Sequence, residues 1–529
     1  MILSVPDRRF LPAPCLYLRL EILKPASVMT KDTEVDMKDV ELNEMDPEKQ
    51  PMTADAQVAV GEKNGSVKLK VPEDEVAFTG LSKEELMKVA GTPGWVRTRW
   101  MLLVLFWLGW VGTLVAAIVI IVKDPRCKSL PEMNWWNDGP LYQIPDVDAF
   151  CGGLAGLEQK LDDIGQLKVK GLLLGPLHTV RENQQSPLNL KEIDPAVGGK
   201  EDLKSVLKKA NNKGIKVVLD LTPNYKGSNP WFSSGDIGSV LEQVKAAAEH
   251  WLEFGVSGFK LSGFNVASNS PHWSHLQTVV QGNHTKGTSK RLLMGVVEHK
   301  SAASVHQLLN TTGIPLILSD LLSSRTGGER IRAMDHLHAQ QRQVGWGLGA
   351  IQQDQLSKQA TGPALIRLYQ LLLLTMPGTP VFTYGDEIGL EGNQKHPKMV
   401  WNVETEAAHN KSLEEYAATR KWFKGLSDLR GKERSLLHGD YYPLYASNSS
   451  LSFLRVWDQS ERYITAVNWG AEKQTLKLNL TTTEGVELPK TAKVKLSTDS
   501  KLQAESTVSL DSMELEPGQA VLLQFPYTG

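Results

Sequence analysis

Gly258-Phe259-Lys260-Leu261-Ser262 is a short strand-like run that closes on a hydroxyl. Comparable runs precede it at Leu141-Tyr142-Gln143-Ile144, Gly171-Leu172-Leu173-Leu174 and Ile215-Lys216-Val217-Val218-Leu219. Longer amphipathic stretches lie between them. One has apolar residues at Leu157, Leu161, Ile164 and Leu167, and another covers Glu201 to Asn211. Near-continuous apolar strands separated by helices indicate a parallel sheet covered on both faces. The expected fold class is therefore α/β, a (β/α)8 TIM barrel over residues 137–440. Behind it, Ser452-Phe453-Leu454-Arg455-Val456-Trp457, Tyr463-Ile464-Thr465-Ala466-Val467 and Ala520-Val521-Leu522-Leu523-Gln524-Phe525 alternate with turns. These runs predict a C-terminal antiparallel β-sandwich over residues 441–529.

At 529 residues the chain exceeds one ordinary domain, and its net charge of −2 gives no reason to expect a nucleic-acid partner. The charge is uneven, however. Residues 30–80 hold 13 Asp and Glu against 6 Lys and no Arg. So acidic a segment, with so little apolar surface to bury, reads as a disordered, solvated tail. Residues 1–99 are expected to be cytoplasmic. Within them, residues 1–28 read as an upstream extension or an alternative initiation product, because Met29-Thr30-Lys31-Asp32 has the look of a natural start.

Met101 to Val122 runs 22 residues without an ionisable side chain. As a helix it would be about 33 Å long, enough for a hydrocarbon core of about 30 Å. Trp95, Trp100, Arg97 and Arg99 flank it as interfacial anchors do. We assign residues 100–122 as a signal-anchor helix in contact with membrane lipid. The flanking cations are nearly balanced, so orientation rests more on glycosylation signals. Five Asn-x-Ser/Thr sites follow the span, at Asn283, Asn310, Asn410, Asn448 and Asn479, against Asn64 alone before it. The expectation is a single-pass type II protein of the plasma membrane with its large C-terminal part outside. Gly109, Gly112 and Ala116 form a small-residue face on which another helix could pack.

The cysteines are Cys15, Cys127 and Cys151. Cys127 lies in a polar neck, residues 123–136, just beyond the apolar run. A thiol on the oxidising side, tethered near the bilayer, is placed to pair with another chain. The competing reading is a bond from Cys127 to Cys151. It ranks lower, since Cys151 opens the folded domain, where a small buried residue is the ordinary expectation.

The 258–262 run resembles the strand-end motif of the α-amylase family of glycoside hydrolases, Gly-Phe-Arg-x-Asp. Ile193-Asp194-Pro195, Val217 to Asn224, Asn229-Pro230-Trp231-Phe232 and Thr379 to Gly389 are similar to other motifs of that family, in the same order. What the resemblance implies about chemistry is a loss. Its nucleophilic Asp is Ser262, its Arg is Lys260, and the His after Asn224 is Tyr225. A sugar-stacking Tyr aligns with Leu190, and the late His-Asp pair is replaced within Ala350-Ile351-Gln352-Gln353. Asp220 persists, and Glu298 alone could align with the general acid. A retaining glycosidase needs two carboxylates facing the anomeric carbon. Asp220, Tyr225, Lys260, Ser262 and Glu298 thus read as a degenerate hydrolase site with no catalytic residue, no cofactor and no metal.

Only 42 positions separate Asp220 from Ser262, too few for the domain that hydrolases of this family insert there. The acidic tail, the Trp-Val-Arg-Thr-Arg-Trp before the span, the neck cysteine and the inactive barrel together resemble the heavy chains of heteromeric amino-acid transporters. That resemblance implies a multi-pass light chain as partner, disulfide-linked through Cys127, and a further role with integrin β subunits. One span without an intramembrane charge does not itself form a path for a polar solute. The alternatives are a membrane-anchored α-glucosidase-type hydrolase and an adhesion or receptor glycoprotein.

Overall fold

The computed structural model describes residues 82–527, apart from 124–127, 180, 233–235, 283–289, 299, 324–325, 348–354, 407–410 and 481–486. Two compact units are present, divided near Pro125.

In the first, a short helix, Lys83–Ala90, starts from a capping box in which Ser82 and Glu85 satisfy each other's backbone amides. Gly91 ends it, and a second helix, Pro93–Lys123, follows after Thr92. Pro93 opens this helix at the position where a missing N–H costs nothing. Among the described residues it is the one helix long and apolar enough to cross a membrane. Gly109, Gly112 and Ala116 fall at spacings of three and four residues along it, on one face.

In the second unit, eight parallel strands close into a barrel in chain order. They are β1 (Leu141–Ile144), β2 (Gly171–Leu174), β3 (Lys216–Asp220), β4 (Gly258–Ser262), β5 (Leu292–Val297), β6 (Leu316–Ser319), β7 (Val344–Trp346) and β8 (Thr379–Thr383). Helices cover the outside, among them Leu154–Gly165, Lys200–Asn212 and Ile237–Glu253. The fold is the TIM barrel that the apolar runs predict.

Alternation along the strands builds two cores. Val217 and Leu219 of β3 and Phe259 and Leu261 of β4 point outward into the helix layer. Val218, with Leu292, Met294 and Val296 of β5 and Leu316 and Leu318 of β6, fills the interior, together with Trp136. Because the side-chain period is two, the inward phase of β3 ends on Asp220 and that of β4 on Lys260 and Ser262. All three lie at the C-terminal rim, where barrel sites are built.

The C-terminal strands are β9 (Asp440–Ala446), β10 (Ser450–Val456), β11 (Arg462–Asn468), β12 (Gln474–Leu476), β13 (Thr491–Ser497), β14 (Thr507–Ser509), β15 (Met513–Leu515) and β16 (Ala520–Phe525). Six form one sheet in the order β14-β13-β16-β11-β10-β9, and β12 pairs with β15 in a second. All these pairings are antiparallel. The large sheet is apolar on both faces. Leu451, Phe453, Tyr463, Val467, Ala520 and Leu522 join the barrel's core. Their neighbours Leu454, Ile464, Ala466, Val521 and Leu523 pack with Leu476, Met513 and Leu515 of the small sheet. Alternation apolar on both faces is what a strand needs when each face is covered.

Candidate functional site

At the rim of the barrel, Asp220 stands opposite Lys260 in the β3–β4 register. Lys260 Nζ lies 2.9 Å from Asp220 Oδ2, with the two side chains 5 % and 6 % exposed. The other carboxylate oxygen is also taken. Asp220 Oδ1 accepts from the backbone N–H of Thr222 at 2.9 Å and from its hydroxyl at 2.5 Å. Thr222 Oγ1 in turn accepts from the backbone N–H of Ser262 at 3.0 Å, and the Ser262 carbonyl accepts from the Trp231 indole at 2.9 Å. The rim is thus stitched internally. Both Asp220 carboxylate oxygens are engaged by groups of the chain's own fold.

Tyr225 donates its hydroxyl to the His178 carbonyl at 3.1 Å, and burial pushes that hydroxyl up to about 12. Its ring meets the His178 imidazole edge to face, with centroids 5.3 Å apart. His178 itself is buried, and burial pushes it down to about 4, against the pull of the Asp220 carboxylate. Leu190 is buried, its carbonyl bonded to the Trp251 indole at 2.9 Å. Glu298 follows β5 directly, half-buried, in the same inward phase as Met294 and Val296. Residues 350–353 lie outside the described residues.

The structure brings Asp220, Tyr225, Lys260 and Ser262 around one cavity of about 110 Å³, which Pro145, Thr222, Asn224, Lys395 and His396 also line. Cavities that take small molecules usually measure about 300–1,000 Å³. This one suits a few waters. A larger cavity of about 450 Å³, lined by Gly139, Lys168, Lys170, Lys213 and Lys432, lies at the opposite, N-terminal end of the strands. Barrel chemistry does not occur there.

Sequence reasoning passed over Thr222, His178 and the Lys395-His396 pair. Thr222 carried a readable signal, a hydroxyl two residues after an Asp, the spacing of an Asx-type turn. Lys395 and His396 arrive on an irregular loop after β8, and nothing periodic marks them.

The remaining candidates are spread over the surface. Asn310, Asn448 and Asn479 are exposed, and Asn283 and Asn410 lie outside the described residues. Cys127 also lies outside them, but its neighbour Lys128 is well placed. Lys128 donates its backbone N–H to Asp458 at 3.0 Å, sets its ammonium 3.6 Å from Asp440, and lies 4.7 Å over the Trp457 ring. Cys151 is the free cysteine among the described residues. Its thiol sits against the Val147 and Gly153 carbonyls, and burial pushes it up to about 12, which keeps it protonated and unreactive.

Comparison with known proteins gives two family matches. Residues 66–142 match the model for the N-terminus of solute carrier family 3 member 2, and residues 134–236 match the α-amylase catalytic domain. The amino acid transporter heavy chain SLC3A2 of Mus musculus is 44 % identical over 94 % of this chain and 100 % of its own length. The heavy chain SLC3A1 of Rattus norvegicus is 21 % identical, covering 84 % of this chain and 86 % of its own. Among solved structures, an α-amylase from Geobacillus thermoleovorans in complex with acarbose superposes with a TM-score of 0.54 at 19 % identity, over 74 % of this chain and 99 % of its own. That likeness concerns the fold.

Proposed function

This chain belongs to the SLC3A2 family of amino acid transporter heavy chains, and from that membership we propose that it acts without catalysis, as the anchoring subunit of a disulfide-linked transporter. The observation that carries the proposal is the rim of the barrel. Where a retaining hydrolase needs a free pair of carboxylates, this chain sets an internal Asp220–Lys260 ion pair beside Ser262. The barrel keeps its packing and has lost its reaction.

In this reading residues 1–99 are a cytoplasmic tail, 100–122 the membrane span, 123–136 the neck, 137–440 the inactive barrel and 441–529 the sandwich domain. Cys127 makes the covalent link to a multi-pass light chain, which carries the amino acids. The heavy chain stabilises that partner and brings it to the plasma membrane, with the ectodomain outside and glycosylated. The Gly109, Gly112 and Ala116 face packs against the partner's helices. A role with integrin β subunits belongs to the same family reading and rests on the span and tail.

The test is electrophoresis of the membrane protein after alkylation of free thiols, with and without reductant. A larger species should appear without reductant, collapse with it, and vanish in Cys127→Ser. If no larger species forms, or if it survives in Cys127→Ser, the disulfide-linked subunit is wrong. A maltose-type substrate should give no turnover; turnover that Glu298→Gln abolishes would establish a hydrolase instead.

A further inference from the structure

In the helix layer outside the barrel, the helices Ile237–Glu253 and Trp273–Gln281 pack side by side. Glu242 of the first helix faces His272 and His275 at the start of the second. His272 Nδ1 lies 2.9 Å from Glu242 Oε1, and His275 Nδ1 lies 3.5 Å from the same oxygen. The three donor atoms all fall within 4.8 Å of one another. Metal–ligand bonds of about 2.1 Å at tetrahedral angles put neighbouring donors about 3.4 Å apart. Small side-chain adjustments therefore separate the observed arrangement from a coordination shell.

Three features hold the donors in place. His272 and His275 are one helical turn apart, with the His275 N–H bonded to the His272 carbonyl at 3.2 Å, so both rings leave the same face. The His272 ring rests against Gly238, where a Cβ would come within 3.2 Å of Cδ2 and 3.3 Å of Nε2. A side chain there would push the imidazole off Glu242. Lys245 sets its ammonium 3.5 Å from Glu242 Oε2, which turns the other oxygen toward the imidazoles. Such an outer partner orients a ligating carboxylate. The Glu242 carboxyl is held below the usual carboxylate range, mainly by its hydrogen bond with His272.

We propose that Glu242, His272 and His275 bind a divalent transition cation of the Zn²⁺ class, with water in the fourth position. Two imidazoles and a carboxylate are a borderline donor set that suits Zn²⁺ and excludes the all-oxygen preference of Ca²⁺ and Mg²⁺. The half-exposed setting leaves room for the water. The site ties two neighbouring barrel helices together, and it shares no residue with the degenerate hydrolase site.

The experiment uses the full chain in detergent, purified through a tag without histidine, stripped with EDTA and titrated with ZnCl₂ by calorimetry. One equivalent should bind saturably, and His272→Gln or His275→Gln should weaken it by at least about tenfold. Glu242→Gln should do the same, with unchanged far-UV circular dichroism and unchanged melting in EDTA as evidence of intact folding. Co²⁺ in place of Zn²⁺ should give the strong visible bands of four-coordinate cobalt in the wild type and lose them in the His272→Gln/His275→Gln chain. Absence of saturable binding, or binding undiminished in the double variant, overturns the proposal.

Discussion

Lys260 shows how a single residue can close a site. A buried ion pair is costly to break, because the survivor is left charged and without its partner, and removing one member typically destabilises by about 3–5 kcal/mol. Lys260→Ala is therefore expected to lower stability in that range by chemical denaturation. Replacing both partners, Asp220→Leu with Lys260→Met, should cost clearly less. Ser262→Asp alone should yield no maltose hydrolysis, since the new carboxylate would sit beside the buried Lys260 ammonium and pair with it. His178 makes a second, pH-linked prediction. Burial pushes it down to about 4 from an ordinary value near 6.5. The unfolded chain therefore binds its proton first, and stability is lost as pH falls from about 6.5 toward 4. The gap corresponds to about 3 kcal/mol at the acid end. His178→Gln should flatten that slope when urea midpoints are compared at pH 7 and pH 4.5.

At the scale of elements, the strands were the most legible part of the sequence. Leu141–Ile144, Gly171–Leu174 and Ala520–Phe525 stand where their apolar runs put them, because a strand buried on both faces has few polar residues to blur its limits. The Asp220–Lys260 pair was not legible as a contact, since it depends on strand register. The Glu242, His272 and His275 cluster was hidden for a similar reason. Its members come from two helices and meet only when those helices pack.

Two buried guanidinium groups that no periodicity marks converge on one helix end, Arg430 from within the barrel and Arg455 from the large sheet. Arg430 donates to the Leu374, Met376 and Gly378 carbonyls at 2.7, 2.9 and 2.6 Å. Arg455 of β10 reaches the Thr375 carbonyl at 2.8 Å. Both thus satisfy the open end of the helix Pro363–Thr375, where cations are favoured. Arg455→Met should leave the Thr375 carbonyl without this donor and cost about 1–3 kcal/mol, read as a lower denaturation midpoint. Gly295 of β5 is a packing counterpart. A Cβ there would lie 2.4 Å from Phe264 ring carbons, so Gly295→Ala is expected to destabilise by about 1–3 kcal/mol through overpacking.

Over the whole molecule, the proposed function rests on the parts that face outward. Asn448 and Asn479 are exposed on the C-terminal domain, so Asn448→Gln and Asn479→Gln should each remove one mass step from protein made in a glycosylating cell. A chain whose mass is unchanged by glycosidase would contradict an external ectodomain. The neck is the other outward part. Sequence reading proposed a role for Cys127 from its position alone, while the grip of Trp457, Asp440 and Asp458 on Lys128 comes from strand ends more than 300 positions away, beyond any local pattern.

The order of the large sheet also bears on how the chain is made. Among the described residues, its two halves, β9 to β11 and β13 with β14, are joined through β16. Every one of those strands is synthesised before the one that unites them. Until Ala520–Phe525 is made, β11 and β13 lack the strand that pairs with both, and the sheet stays in two pieces. A stop codon just before Ala520 removes few residues, yet it would be expected to trap the whole chain in quality control.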